Sequence, residues 1–210
     1  AKRFDAGKFL FGRDASESNF KSLAPDFDII HLAIHGMGDI QKNFAASLYF
    51  TPKNDSLNDG ELHSYELYGL KLNALMAVLS SCESGLGRGY KGEGMVSMAS
   101  AFTYSGCKNI LMSLWKVNDQ ASIKLMDDFY ARLLAGETID GALRMAKLNY
   151  LESSDELVAD PKIWAPPVAY GSLDKVFKRD RSRIIRVLGV AFLVLLLLAY
   201  VVARKRNVSL

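Results

Sequence analysis

The six residues Leu75 to Ser80, "LMAVLS", limit what this chain can fold into more than any other stretch. A strand with one wet face alternates apolar and polar residues. This one is apolar at nearly every position, so both of its faces must be covered, as in a central strand of a parallel sheet packed between helices. Such a strand needs partners. Asp26 to Ile34, "DFDIIHLAI", reads as a second buried strand introduced by Pro25, and Asn109 to Trp115, "NILMSLW", as a third. Between and after them apolar residues recur at helical spacing. They are Met95, Met98, Ala99 and Phe102, closed by Gly106; then Ile123, Met126, Phe129, Tyr130 and Leu133, capped by Asn118 or Asp119 and closed by Gly136; then Ile139, Ala142, Leu143, Ala146 and Tyr150 behind the cap Thr138. Gly38 to Gly60 reads as loop-rich, with a short strand at Ser47 to Phe50, and Ser64 to Tyr68 as a short helix. The proline-broken "DPKIWAPPVAYG" reads as a last edge strand. Strands alternating with helices predict an α/β sandwich around a mostly parallel sheet.

In such sheets, sites form outside the carboxyl ends of the strands. Two chemically able residues stand there: His35 after "IIHLAI" and Cys82 after "MAVLSS". A thiolate is a nucleophile, and an imidazole beside it can take its proton and later pass it to a leaving amine. Gly36 follows the histidine, so its N–H can approach a substrate without a Cβ in the way. Together with the Cys82 N–H it could bind an oxyanion. Gly85, Gly87 and Gly89 after the cysteine let its loop shape a cleft. Taken singly, Cys82 reads as readily as a buried structural cysteine, and His35 as a polar loop residue.

The net charge of +3 hides two parts of opposite sign. Lys178 to Leu210 carries +7 and Ala1 to Phe177 carries −4, so the body is mildly acidic, which argues against a broad nucleic-acid surface. Two cysteines, Cys82 and Cys107, are too few for a disulfide scaffold, and a reducing compartment is the simpler reading. No Cys or His pair has zinc-finger spacing, and neither a metal nor a cofactor is expected. The first residue is Ala1 rather than Met, which suggests a fragment or a processed form, and no signal-like segment opens the chain.

Val187 to Ala203, "VLGVAFLVLLLLAYVVA", is uncharged, and counting from Ile184 the span is twenty residues interrupted only by Arg186. A helix of about 20 residues covers about 30 Å, the hydrocarbon thickness of a bilayer. Five basic residues precede the apolar run and three follow, favouring the preceding domain on the cytoplasmic side. The expected organisation is a domain over 1–173, a basic juxtamembrane linker over 174–183, a single transmembrane helix over 184–203 and a short basic tail over 204–210.

The segments "HLAIHG", "VLSSCESGLG", "GEGMVSMASAFTYSGCKNILMSLWKVNDQASIKLMDDFYARLLAG", "ALRMAKLNYL" and "WAPPVAYG" occur in an order that resembles the CHAT domain, a caspase-like family of cysteine peptidases related to separase. The resemblance runs from about Phe11 to Ser172. Forty-seven residues separate His35 from Cys82, close to the spacing of about 50 in caspases, although the local caspase signature around the cysteine is absent. The resemblance implies a caspase-like three-layer sandwich and a Cys–His dyad, with His35 as general base and acid, Cys82 as nucleophile, and the N–H groups of Gly36 and Cys82 as oxyanion donors. Ser81 stands where the family carries alanine. Relatives begin with further strands before the Phe11 region, and helical repeats that sense a partner often precede the domain.

Three further residues are candidates for the substrate pocket. Asp119 either presents a carboxylate to Arg or Lys in the substrate or caps the following helix. Trp115 either lines the pocket or fills the core. Ser81 adjoins the nucleophile. The expected function is a membrane-anchored endopeptidase acting on protein or peptide substrates, controlled by sensor repeats outside this chain. Two alternatives stand beside it: a non-catalytic caspase-like interaction module at the membrane, and acyl transfer on the same dyad.

Overall fold

The computed structural model describes residues 4, 7–38, 46–53, 57–80, 98–115, 119–154 and 159–177. Ala1–Phe177 forms one compact unit.

The main sheet has four strands. β1 (Ile29–Leu32), β5 (Met76–Leu79) and β6 (Asn109–Ser113) run parallel, and β7 (Pro167–Gly171) closes the sheet antiparallel to β6. Pro167 and the turn-rich residues before it suit an edge, where a missing ladder donor is tolerated. All four residues of β5 are buried. Their alternation sorts them into two cores, since successive side chains point to opposite faces of a strand. Ala77 and Leu79 join Ile30, Leu32, Phe20 and Phe102 on one face, while Met76 and Val78 join Leu111, Leu125, Phe129 and Ile139 on the other. The result is a helix–sheet–helix sandwich, and the expected α/β class with a parallel central sheet is what the chain adopts.

The first face is covered by α1 (Glu17–Leu23), α2 (Ser64–Leu67) and α3 (Met98–Tyr104). Ser16 caps α1 by accepting from the Asn19 N–H at 3.4 Å. The carboxylate of Glu17, 1% exposed, accepts from the Gly60 N–H at 2.9 Å and pairs with Lys21, which also reaches Glu66 at 2.8 Å. This network ties α1 to Gly60 and to α2. α3 ends at Gly106, whose φ of +105° and whose closeness to the Leu72 carbonyl oxygen leave no room for a side chain.

The second face is covered by α4 (Asp119–Leu134), α5 (Ile139–Glu152) and the one-turn α6 (Pro161–Trp164). The Thr138 hydroxyl caps α5 by accepting from the Gly141 N–H at 3.3 Å. All five residues expected on the α5 core face are buried. On α4 the expected stripe is rotated: Ile123 is 69% exposed, and Ala121 and Leu125 are buried in its place.

A small antiparallel sheet, β2 (His35–Gly38), β3 (Ala46–Tyr49) and β4 (Glu61–His63), stands where the sequence reads mostly as loop. β2 is "HGMG", with two glycines and no run of β-branched residues, so no local propensity announces it. It forms because it pairs with β3, His35 opposite Tyr49 and Gly36 opposite Leu48.

One expectation is overturned. Among the described residues no helix is long and apolar enough to cross a membrane. The longest, α4, has 16 residues, short of the about 20 that a bilayer requires, and it carries charged residues along its outer side. The apolar run 184–203, from which a transmembrane helix was expected, lies outside the described residues.

Candidate active site

At the carboxyl edge of the parallel sheet, two neighbouring strands lead on toward the histidine and the cysteine singled out by sequence. β1 and β5 are hydrogen-bonded neighbours with Leu32 opposite Leu79. His35 follows Leu32 by three positions and Cys82 follows Leu79 by three. The two adjacent strands therefore leave the sheet on the same edge, one toward the histidine and the other toward the cysteine. Cys82 and Ser81 themselves lie outside the described residues.

His35 is exposed and opens β2 rather than sitting in an irregular loop. Its partner across the ladder, Tyr49, is partly exposed and donates its hydroxyl to Glu61 at 3.2 Å. Gly36 is buried and lies in the same ladder. The small sheet thus sets the direction in which His35 and the Gly36 backbone leave β1.

A shallow cleft opens at the carboxyl ends of β5 and β6, against the first turns of α4. Among its described lining residues are Ser80, Ser113, Ser122, Met126 and Pro167. Neither Trp115 nor Asp119 is among them. Trp115 lies just beyond β6, is 37% exposed, and donates its indole N–H to the Lys162 carbonyl at 2.9 Å, which holds the ring toward α6. Asp119 is the first residue of α4 and is exposed, a favourable place for a carboxylate at the positive end of the helix dipole.

The other histidine of "HLAIHG" is held by side chains from two other parts of the chain. His31 lies within β1 on the face toward α4, and both ring nitrogens have partners: Nε2 meets the Ser80 hydroxyl at 2.8 Å and Nδ1 the Tyr130 hydroxyl at 2.8 Å. The rings of His31 and Tyr130 stack with centroids 5.8 Å apart. His31, like His35, is exposed at its surface, yet its nitrogens are crowded by neighbours, and this desolvation holds its pKa below the usual histidine value. Desolvation also pushes the Tyr130 phenol well above the usual range, so it stays protonated. Read from sequence, His31 falls inside a strand and points to the core or to a neighbouring helix. Nothing in the sequence pointed to Tyr130, 99 residues away.

Cys107 is 2% exposed, and burial pushes its thiol up to about 12. It is a packed residue of the first core, not a nucleophile. Among the described residues no group of three or more His, Cys, Asp or Glu could hold a metal ion.

A family model described as the CHAT domain matches residues 1–172. The chain belongs to the CHAT domain family. The match extends further toward the first residue than the motif run that begins near Phe11. A curated relative, tetratricopeptide repeat protein 28 of Mus musculus, is 32% identical over 111 residues, which is 53% of this chain and 4% of that protein. The chain thus spans a small fraction of that relative's length. The sandwich described above is the caspase-like domain of this CHAT protein.

Proposed function

We propose that this CHAT domain is a cysteine endopeptidase working through His35 and Cys82. The observation that carries the reading is the parallel pairing of β1 with β5 in the register Leu32 to Leu79, which supports a shared exit for base and nucleophile. In this scheme His35 takes the thiol proton and the Cys82 sulfur adds to the peptide carbonyl. The N–H groups of Gly36 and Cys82 receive the negative oxygen. The tetrahedral species collapses as the C–N bond breaks, and His35 passes its proton to the departing amine. A water then gives its proton to His35 and adds to the thioester. The C–S bond breaks, the acid product leaves, and the proton returns to the sulfur. The exposure of His35 agrees with a group that must meet substrate, whereas His31 has both nitrogens engaged.

The mouse relative is by name a tetratricopeptide repeat protein. Control of this domain by helical repeats of that kind is part of the proposal, with proteins or peptides as substrates.

The test is labelling of the full chain by thiol-directed peptide probes ending in Arg, Leu or Asp, together with cleavage of a mixed peptide library. Cys82→Ala and His35→Ala are each expected to abolish both signals, a loss of at least about 10³-fold in rate for removal of either partner of a nucleophile–base pair. An Arg preference would give Asp119 a role in specificity. A folded wild-type chain that neither labels nor cleaves, alone or with repeat proteins, would favour the non-catalytic interaction module.

A further inference from the structure

We propose that His31 is a positioning residue: with Tyr130 on one ring nitrogen and Ser80 on the other, it clamps the end of β5 from which the chain runs to Cys82. The inference rests on the cysteine-peptidase reading above.

Donor counting gives the clamp one direction in which every proton is used. The Ser80 hydroxyl lies 3.4 Å from the Leu32 carbonyl, to which it donates, and the Ser80 N–H donates to the same oxygen at 3.0 Å. Having spent its one proton there, the hydroxyl accepts from Nε2–H of His31 at 2.8 Å. Nδ1 is then the acceptor, and the protonated Tyr130 phenol donates to it at 2.8 Å. The chain runs from Tyr130 through His31 and Ser80 to the Leu32 carbonyl, with a neutral imidazole carrying its proton on Nε2. Reversing it would leave the phenol proton without this acceptor and remove the hydroxyl from the Leu32 oxygen. A protonated ring would donate at both nitrogens, turning the phenol from donor to acceptor at Nδ1 and adding a charge where neighbours crowd out water.

The place of this chain in the fold gives it a purpose. Leu79 is the last residue of β5 paired with β1, and Ser80 is the next. It is the last described residue before the cysteine, two positions on, and it also lines the cleft. His31 lies on β1, four residues before His35. One ring therefore ties the strand that leads to the base to the strand that leads to the nucleophile, and Tyr130 ties both to α4. A thiol and an imidazole react only when held in register, and a displacement of about 1 Å can cost about 10²-fold in rate. The clamp also separates the two histidines of "HLAIHG": His31 is committed to its partners, and His35 is left to move protons.

The experiment is the rate of iodoacetamide alkylation at Cys82, read by peptide mass on the full chain from about pH 5 to pH 9, in a range that brackets an ordinary thiol at about 8.5. The variants are His35→Ala, Tyr130→Phe, Ser80→Ala and Ser80→Thr, each with its melting temperature. Tyr130→Phe keeps the ring and Ser80→Ala removes one oxygen, so both are expected to fold. In the wild type the Cys82 profile is expected to lie below that of an ordinary thiol, and His35→Ala to raise it. Tyr130→Phe and Ser80→Ala are expected to slow alkylation near neutrality about tenfold, the effect of one buried hydrogen-bond partner, and to move the profile upward, with Ser80→Thr restoring it. Lower melting temperatures with an unchanged, His35-dependent profile would overturn the clamp and leave the dyad standing. A wild-type profile like that of an ordinary thiol, indifferent to His35→Ala, would sink the dyad and the clamp with it.

Discussion

At the scale of single residues, the two cysteines have opposite fates. Cys107 follows Gly106 into β6 and is buried with its thiol pushed up to about 12. A reagent that needs thiolate finds none there at neutral pH. We predict that the native chain consumes one equivalent of a disulfide reagent rapidly and the second only with global unfolding, measured by absorbance with and without denaturant. Two fast equivalents would contradict the packing of Cys107. Cys82 was singled out from sequence because a strand that gives way to a cysteine before three glycines is unusual chemistry, and it lies outside the described residues. The surroundings of His31 were only partly legible: the sequence put it inside a strand, facing the core or a neighbouring helix, but its partners come from just after β5 and from α4.

At the scale of elements, Asn109 joins three of them. Buried at the start of β6, it donates to the Leu75 carbonyl before β5 at 2.8 Å and accepts from the Leu173 N–H after β7 at 2.8 Å and from the Ser172 hydroxyl at 3.2 Å. Replacing it with alanine strands a carbonyl and an N–H in a part-buried seam. Asn109→Ala is expected to cost about 2–3 kcal/mol, the size of such unsatisfied groups, in urea unfolding. A loss under about 0.5 kcal/mol, ordinary for a surface change, would mean that water replaces the side chain freely. Helices differed in how well their sequences foretold them. α5 carries one unambiguous apolar stripe behind a threonine cap, and its buried face matches expectation at every position. α4 offers two overlapping stripes, and docking against Leu111 and Val78 selects the one with Ala121 and Leu125, leaving Ile123 outside. The small sheet of β2, β3 and β4 was the least legible, because "HGMG" has little strand propensity of its own.

At the scale of the whole molecule, one sheet separates two cores. Phe102 fills the first and Phe129 the second, each with no exposed surface. Since β5 contributes alternate residues to both, neither core can persist after the other is lost. The two tryptophans, Trp115 and Trp164, lie on the side of α6: one donates to the Lys162 carbonyl and the other to Ala159 at 3.0 Å. Tryptophan fluorescence thus reports locally on one side, while far-ultraviolet dichroism reports on all helices. The two signals are expected to coincide in denaturant unfolding of the full chain. Phe102→Ala and Phe129→Ala are each expected to cost about 3–5 kcal/mol and to shift both signals together. A Phe102→Ala curve in which dichroism falls before fluorescence would mean that the cores unfold separately.

The sequence by itself determined the α/β class, the central strand, the cap and face of α5, the family resemblance, and the placement of His35 beyond the carboxyl end of a buried strand. These are local properties: the period of apolar residues, the residue types at helix ends, and motifs that span a few positions. It also suggested a membrane helix over 184–203, a segment outside the described residues, and no described helix is long and apolar enough to cross a membrane. Only the tertiary structure decided which strands neighbour each other, which stripe of α4 faces inward, that "HGMG" becomes a strand, and that His31 meets Ser80 and Tyr130. Each of these depends on surfaces brought together across long stretches of chain, and there the energy of packing and of satisfying buried donors outweighs the weak preferences of short segments.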